Sequence, residues 1–245
     1  LIGGRNMSNQ YYNVSDNYQF SDVDVMLVGS ASDEIIHSFD DYWNDDYAFP
    51  VKKIVNARHY SLRFPNLKQQ LEQHAQTITV QNYLDLATRS HAFENWLNKS
   101  IQFDWVKAEV VSDSPSKIRA KAKKEQHLNF QLIHQLQKPE QSVDIISAYF
   151  VPEKKGEKML SDLAQTNVHV RVLTNSFKAN DVFLVHAFYG KYRKDLLKNQ
   201  VELYEFLAAP ETENLNINTD EIAEKAKVSL KGLSRSSLHA KMMAI

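Results

Sequence analysis

Residues 143–206 read VDIISAYFVPEKKGEKMLSDLAQTNVHVRVLTNSFKANDVFLVHAFYGKYRKDLLKNQVELYEF, and the alternation within this stretch decides the fold. VDIIS is a short β-branched run, the composition of a strand. EKKGEKMLSDLAQ sets Met159, Leu160 and Leu163 at helical spacing, so they are expected to face inward. VHVRVLTN reads as a second strand, DVFLVHAFYGKYRKDLL as a helix and VELYEF as a third strand. Strands separated by helices predict a largely parallel sheet with helices packed against it, because a parallel neighbour is reached only by a crossover. The expected class is α/β.

Upstream the pattern is less regular. DVDVMLVG, from Asp22 to Gly29, reads as a valine-rich strand, and Ser30 or Ser32 can cap the helix SDEIIHSFDDYWN that follows. Ile35, Ile36, Phe39 and Trp43 share one face of that helix. Residues 65–99 read as helix with several breaks and carry no evident chemistry. DSPSK is a loop with Pro115 at the next helix start. That helix, expected over 116–137, carries Lys117, Arg119, Lys121, Lys123 and Lys124. A solvated helix face accounts for this run better than a patch for lipid or nucleic acid. Residues 208–234 are polar and form a long excursion.

Composition narrows the function classes. The chain has 245 residues, enough for one large domain or two small ones. Its 29 basic and 30 acidic residues create no overall field for nucleic acid. With no cysteine there are no disulfides, thiol nucleophiles or thiolate metal sites. The longest apolar runs are far too short to span a bilayer. The chain opens at Leu1 with no secretory pattern, so its natural start is expected to lie further upstream.

The two ends carry the candidate chemistry. SSLHAKMMAI, residues 236–245, puts His239 and Lys241 two positions apart, on one face if the segment is a strand. At the other end LIGGRN pairs Gly3 with Gly4, as at a strand end that another group approaches closely. The spacing alone also fits a histidine and a lysine on an ordinary edge strand.

HAKMMAI resembles the opening of the HxKxxxxD signature of the phospholipase D superfamily, and LIGGRN resembles the GGxN tail that follows that signature. A member carries the motif twice, so the chain is expected to run from the tail of the first copy to the head of the second. GGRNMSNQYYN, VDVMLVGSASDEIIHSFDDYWN, SAYFVPEKKGEKMLSDLA and VRVLTNSFKANDVFLVHAFYGKYRKDLL resemble the bacterial cardiolipin synthase C type within that superfamily. The resemblance implies two similar halves, each a mainly parallel β-sheet flanked by helices. Residues 1–140 would be the remainder of the first half with a helical connection, and 141–245 the second half.

The resemblance also implies a mechanism. One histidine attacks phosphorus and becomes a phosphohistidine, while the other protonates the leaving alcohol and then deprotonates the incoming one. Imidazole suits both tasks because its ordinary pKa of about 6.5 lies near working pH. Lysine stabilises the phosphoryl oxygens without a metal, and no cofactor is expected. Carried over by position, His239 and Lys241 are the catalytic pair, and His239 would be the acid/base. Asn6 would contact phosphate, with Gly3 and Gly4 keeping the backbone close. Asn6 also fits a plain turn residue.

Asn175, Ser176, Asp181 and His186 match polar positions of the subgroup and either line the site or form a capping network in which Asp181 starts the helix. Tyr149, Phe150 and Val151 fit a lipid entrance or ordinary packing at a strand end. His59, His74, His91 and His127 show no metal-ligand spacing. The implied substrates are phosphatidylglycerol and either a second phosphatidylglycerol or phosphatidylethanolamine, with peripheral contact to a bacterial cell membrane and no nucleic acid. A phosphodiesterase or nuclease, or a phospholipid-binding module without turnover, are the rival readings. The chain holds one motif histidine, so it is expected to be inactive alone.

Overall fold

The structure is a computed structural model, and it describes residues 1–12, 19–54, 64–135, 138–207 and 236–245. The expected excursion over 208–234 and His59 lie outside the described residues. The chain divides into two compact units, Leu1–Met26 with Lys138–Ile245, and Leu27–Gln137.

The first unit contains the sheet. Strands β4 (Ser142–Ser147), β5 (His169–Asn175) and β6 (Glu202–Phe206) pair in parallel, in the order β6-β5-β4. The helices α7 (Glu153–Ala164) and α8 (Phe183–Lys198) make the crossovers. At the far side of β4, strand β8 (Lys241–Ala244) pairs antiparallel, with Ser147 opposite Lys241. The expected β-α-β-α-β order is therefore present, and the class is α/β.

The core follows from the pleat. Val143, Val170 and Val172 are inward on the strands and pack with Phe150, Leu160, Tyr189, Leu196 and Val201. Burying a side chain of this size contributes about 1.5–3 kcal/mol each, so this cluster outweighs any single polar contact in the unit. Leu160 is buried and Leu163 partly buried as expected, but Met159 is half exposed because it lies on the outer edge of α7. On the outer side of the sheet Arg171 bridges from β5 to Asp144 on β4, and this hydrogen-bonded guanidinium holds the carboxyl below the usual range.

Two short pairings bring the chain ends into this unit. Strand β1 (Ile2–Gly3) pairs antiparallel with β3 (Asp24–Val25). Strand β2 (Gln19–Ser21) runs parallel to β7 (Ser236–Leu238), with Ser21 opposite Leu238. The strand expected over Asp22–Gly29 is reduced to β3. The carboxylate of Asp22 takes the backbone N–H of Val23, and that local bond competes with a ladder at this point.

The second unit is helical: α1 (Ser30–Trp43), α2 (Val51–Ile54), α3 (Phe64–Ala75), α4 (Ile78–Thr88), α5 (His91–Leu97) and α6 (Leu128–Gln135). Glycine, rather than either serine, caps α1. Gly29 stands at the N-cap at φ 93°, a left-handed backbone that a serine there would resist. Of the expected apolar face, Ile36, Phe39 and Trp43 are exposed, with the rings of Phe39 and Trp43 stacked at 5.6 Å.

Polar contacts organise this unit. Arg119 makes a two-bond bridge to Asp45, at 3.1 and 3.0 Å, and Tyr42 donates to the carbonyl of Asp113. The single helix expected over 116–137 is instead a 3-10 turn at Pro115–Arg119, a second at Lys124–Gln126, and then α6. Ala120 at φ 53° stops the first turn, and the intervening lysines offer no apolar stripe to carry a helix on. Lys117 and Arg119 are paired with Asp113 and Asp45, which accounts for part of the basic run as structure.

Candidate active site

His239 follows β7 and lies beside the end of β2, where its backbone N–H donates to the carbonyl of Ser21 at 2.8 Å. One residue past that contact is Asp22. Its Oδ2 lies 2.8 Å from His239 Nδ1, and the two side chains are 2% and 12% exposed respectively. An ionised carboxylate only accepts, so this contact assigns the ring proton to Nδ1 and leaves Nε2 as the working atom. Three rings enclose the imidazole edge-on: Tyr11 at 5.1 Å, Phe20 at 5.2 Å and Tyr149 at 6.1 Å between centroids.

The Gly-Gly pair has a concrete role here. A Cβ on Gly4 would stand 2.7 Å from Asp22 Oδ2, and a Cβ on Gly3 would collide with the Asp24 carboxylate. The groups that approach this backbone are therefore two carboxylates, one of which holds His239. Arg5 next in the chain pairs with Asp24 at 2.8 Å. Asn6 donates from Nδ2 to the hydroxyl of Tyr11 at 2.9 Å. Burial pushes the Tyr11 phenol up, with the Asn6 bond opposing and Asp22 and Asp181 adding to it, so Tyr11 stays a neutral phenol.

Lys241 is exposed and begins β8. Its Nζ donates to the carbonyl of His239 at 3.2 Å and lies 5.9 Å from the ring centre of Tyr149. That distance is at the outer limit of a cation–π contact. Tyr149 in turn donates to both oxygens of Asp181 at 2.9 Å.

The remaining expected residues divide by burial. Asn175, at the end of β5, is 1% exposed and grips Leu238: Nδ2 donates to its carbonyl at 2.8 Å and Oδ1 accepts its N–H at 2.8 Å. This two-point bond fixes the residue just before His239. Ser176 is also buried and accepts the N–H of Ala179 at 3.2 Å, closing a turn. Asp181 does not start the helix, since Asn180 takes the N–H of Val182 while Asp181 faces Tyr149. His186 sits between Phe177 and Tyr189, each ring 5.5 Å away, and its Nδ1 is buried without a hydrogen-bond partner. Burial holds its pKa below the ordinary value, so it is neutral. Phe150 belongs to the core.

The structure thus sets Gly4 against the carboxylate that holds His239, Asn6 on the Tyr11 that packs against its ring, Lys241 on its carbonyl, and Asn175 on the residue before it. Gly3 instead meets Asp24, and Ser176 closes a turn at Ala179. Sequence reasoning missed Asp22, Tyr11 and Phe20. The only signal for Asp22 was a carboxylate opening a valine-rich run, a pattern too common to single it out. Among the described residues no group of three or more His, Asp or Glu side chains is placed to hold a metal. The other unit has a cleft of about 390 Å³ lined by Ser38, Tyr42, Ser112 and Asp113, whose polar groups largely bond one another. A buried carboxylate behind an imidazole, with an ammonium one strand step away, can move a proton and stabilise a phosphoryl group.

The chain is similar to known proteins over its full length. The family model described as "Cardiolipin synthase, PLD-like domain" matches residues 132–245. Cardiolipin synthase C of Escherichia coli (strain K12) is 31% identical over 245 residues, 100% of this chain and 50% of that protein. An uncharacterized protein of Helicobacter pylori (strain ATCC 700392 / 26695) is 25% identical over 213 residues, 84% of this chain and 40% of that protein. The chain spans half or less of the length of these relatives. No solved structure matches it.

Proposed function

Because the chain belongs to the phospholipase D superfamily, on its cardiolipin synthase branch, we propose that it contributes one histidine of a pair that moves a phosphatidyl group between phospholipids. In this reading residues 1–140 are the remainder of the first half with its helical connection, and 141–245 are the second half. The observation that carries the proposal is the bond between His239 Nδ1 and buried Asp22, with Lys241 beside it.

The steps are those the resemblance implies, with His239 taking the acid/base part that its bond to Asp22 supports. The partner histidine attacks phosphorus, and the bond from phosphorus to the leaving alcohol breaks. That alcohol takes its proton from Nε2 of His239, while Asp22 steadies the imidazolium before the transfer. His239, now neutral, accepts the proton of the incoming glycerol hydroxyl as its oxygen bonds to phosphorus and the partner histidine is released. Lys241 and the Asn6 amide supply charge and a donor to the phosphoryl oxygens, with Asn6 exchanging its bond to Tyr11 for one to substrate.

The acceptor is phosphatidylglycerol and the donor is a second phosphatidylglycerol or phosphatidylethanolamine. Attachment to the membrane is peripheral; among the described residues no helix is long and apolar enough to cross one. The test is a lipid assay read by mass spectrometry, on this chain and on a parent protein that also supplies the partner histidine. The chain alone is inactive and the parent makes cardiolipin. His239→Ala in the parent lowers the rate by about 10²–10⁴-fold. A variant that works at the normal rate would overturn the proposal.

A further inference from the structure

The outward face of α8 has no role in the chemistry above. Its inward side supplies Tyr189 and Leu196 to the core, yet the opposite side is also apolar at its start: Leu184 is 62% exposed and Phe188 48% exposed. At 3.6 residues per turn, 184, 188, 191 and 198 fall along one stripe, with 187 and 194 beside it. Lys191, Lys194 and Lys198 are exposed there, so the stripe is apolar in its first half and cationic in its second. The two halves touch, since Lys191 Nζ lies 4.5 Å from the ring centre of Phe188. Asp195 is the one carboxylate on the same side, while Arg193 turns away to Glu205.

We infer that this face of α8 docks an anionic phospholipid surface, Leu184 and Phe188 entering the acyl boundary and the three lysines resting on headgroup phosphates. The inference builds on the phospholipid reading above and names the surface that reading leaves open. Charge complementarity selects the occupant. A protein partner would be expected to meet an apolar patch rimmed by both signs, whereas three lysines along one stripe match a plane of phosphates. Position supports it as well. Helix α8 begins two residues after Asp181, whose carboxylate holds Tyr149 against His239, so the apolar end of the stripe lies at the candidate site's margin.

The test uses this chain as it is, with vesicles of equal parts phosphatidylglycerol and phosphatidylcholine, and vesicles of phosphatidylcholine alone. The chain has no cysteine, so Leu184→Cys gives a unique point for an environment-sensitive fluorophore, and Thr166→Cys in the turn just past α7 serves as the control. The Leu184 label is expected to shift to the blue with the anionic vesicles only, and the Thr166 label to stay unchanged. Replacing Lys191, Lys194 and Lys198 together by Gln should weaken co-sedimentation by about 10²-fold, because each lysine near such a surface contributes roughly fivefold. These side chains are exposed, and unchanged circular dichroism confirms that the variant is folded.

Binding that survives the triple variant with no shift at Leu184 refutes this face while leaving the catalytic reading intact. A shift that appears without vesicles, with a dimer on size exclusion, assigns the face to a second copy and also overturns the inference. Loss of cardiolipin synthesis by the His239 variant of the parent bears on the reaction alone.

Discussion

Asp22→Asn is the most incisive single change, because the structure dictates how the new amide must sit. Oδ1 of Asp22 accepts the backbone N–H of Val23 at 2.9 Å, and Oδ2 faces His239 Nδ1 at 2.8 Å. An asparagine keeps its oxygen on the Val23 N–H, so its NH₂ group points at Nδ1. Two donors cannot face each other, and the ring proton must move to Nε2. The working nitrogen is then a donor in the neutral ring and can no longer accept a proton. In a serine-protease triad the equivalent inversion costs about 10⁴-fold in rate. Here the pair is also buried and 2.8 Å apart, so a loss of about 10²–10⁴-fold is expected in the parent protein, with little change in KM. The tautomer can be read directly on this chain from the ¹⁵N shifts of the imidazole. Wild type should carry the proton on Nδ1 and the variant on Nε2. If the proton stays on Nδ1 in Asp22→Asn, the assignment of Asp22 as the orienting group is wrong.

Other perturbations probe the surroundings of the site. Gly4→Ala forces a Cβ to 2.7 Å from Asp22 Oδ2, so it should displace the carboxylate and disturb the same ¹⁵N signals; an unaltered spectrum would show that the glycine is not needed for this approach. Asn175→Ala leaves the N–H of buried Leu238 without this acceptor, while its carbonyl keeps the Ser237 hydroxyl at 3.3 Å, so one orphaned group should lower stability by about 1–3 kcal/mol. Urea unfolding checks this, and a midpoint unchanged from wild type would refute it. His186 is held below the ordinary histidine value of 6.5 by burial, so the unfolded chain binds that proton more readily. Its contribution to stability is therefore complete above about pH 6.5 and declines as pH falls below it. His186→Phe should flatten the acid side of the thermal-stability profile, and a profile that still falls equally steeply would exclude this residue as the cause.

The parallel sheet was legible in 143–206 because its strands are β-branched and its helices carry an apolar face, and each local preference agrees with the tertiary role it serves. Upstream that agreement fails. The valines after Asp22 promise a strand, but a side-chain bond to Val23 interrupts the ladder. The lysine-rich run after Pro115 has helical composition but lacks an apolar stripe, so Ala120 can break it. At the site, His239, Lys241 and the Gly-Gly pair stood out because they form short motifs. Asp22, Tyr11 and Phe20 did not, since they act only through contacts made across the fold. Asn175 was legible as a polar residue of interest, though its bonds to Leu238 appear only once β5 and β7 are brought together.

The bond between Asp22 and His239 joins residues 217 positions apart. Bringing together chain ends so distant costs about 5 kcal/mol of entropy by the logarithmic loop rule, and no local element repays it in advance. The sheet β6-β5-β4 can assemble from neighbouring segments, but the imidazole gains its carboxylate only when β2 and β7 meet. During synthesis the Asp22 carboxylate therefore waits without its histidine until residue 239 has emerged. The His239 ring proton thus reports when β2 and β7 have paired, as well as marking the site.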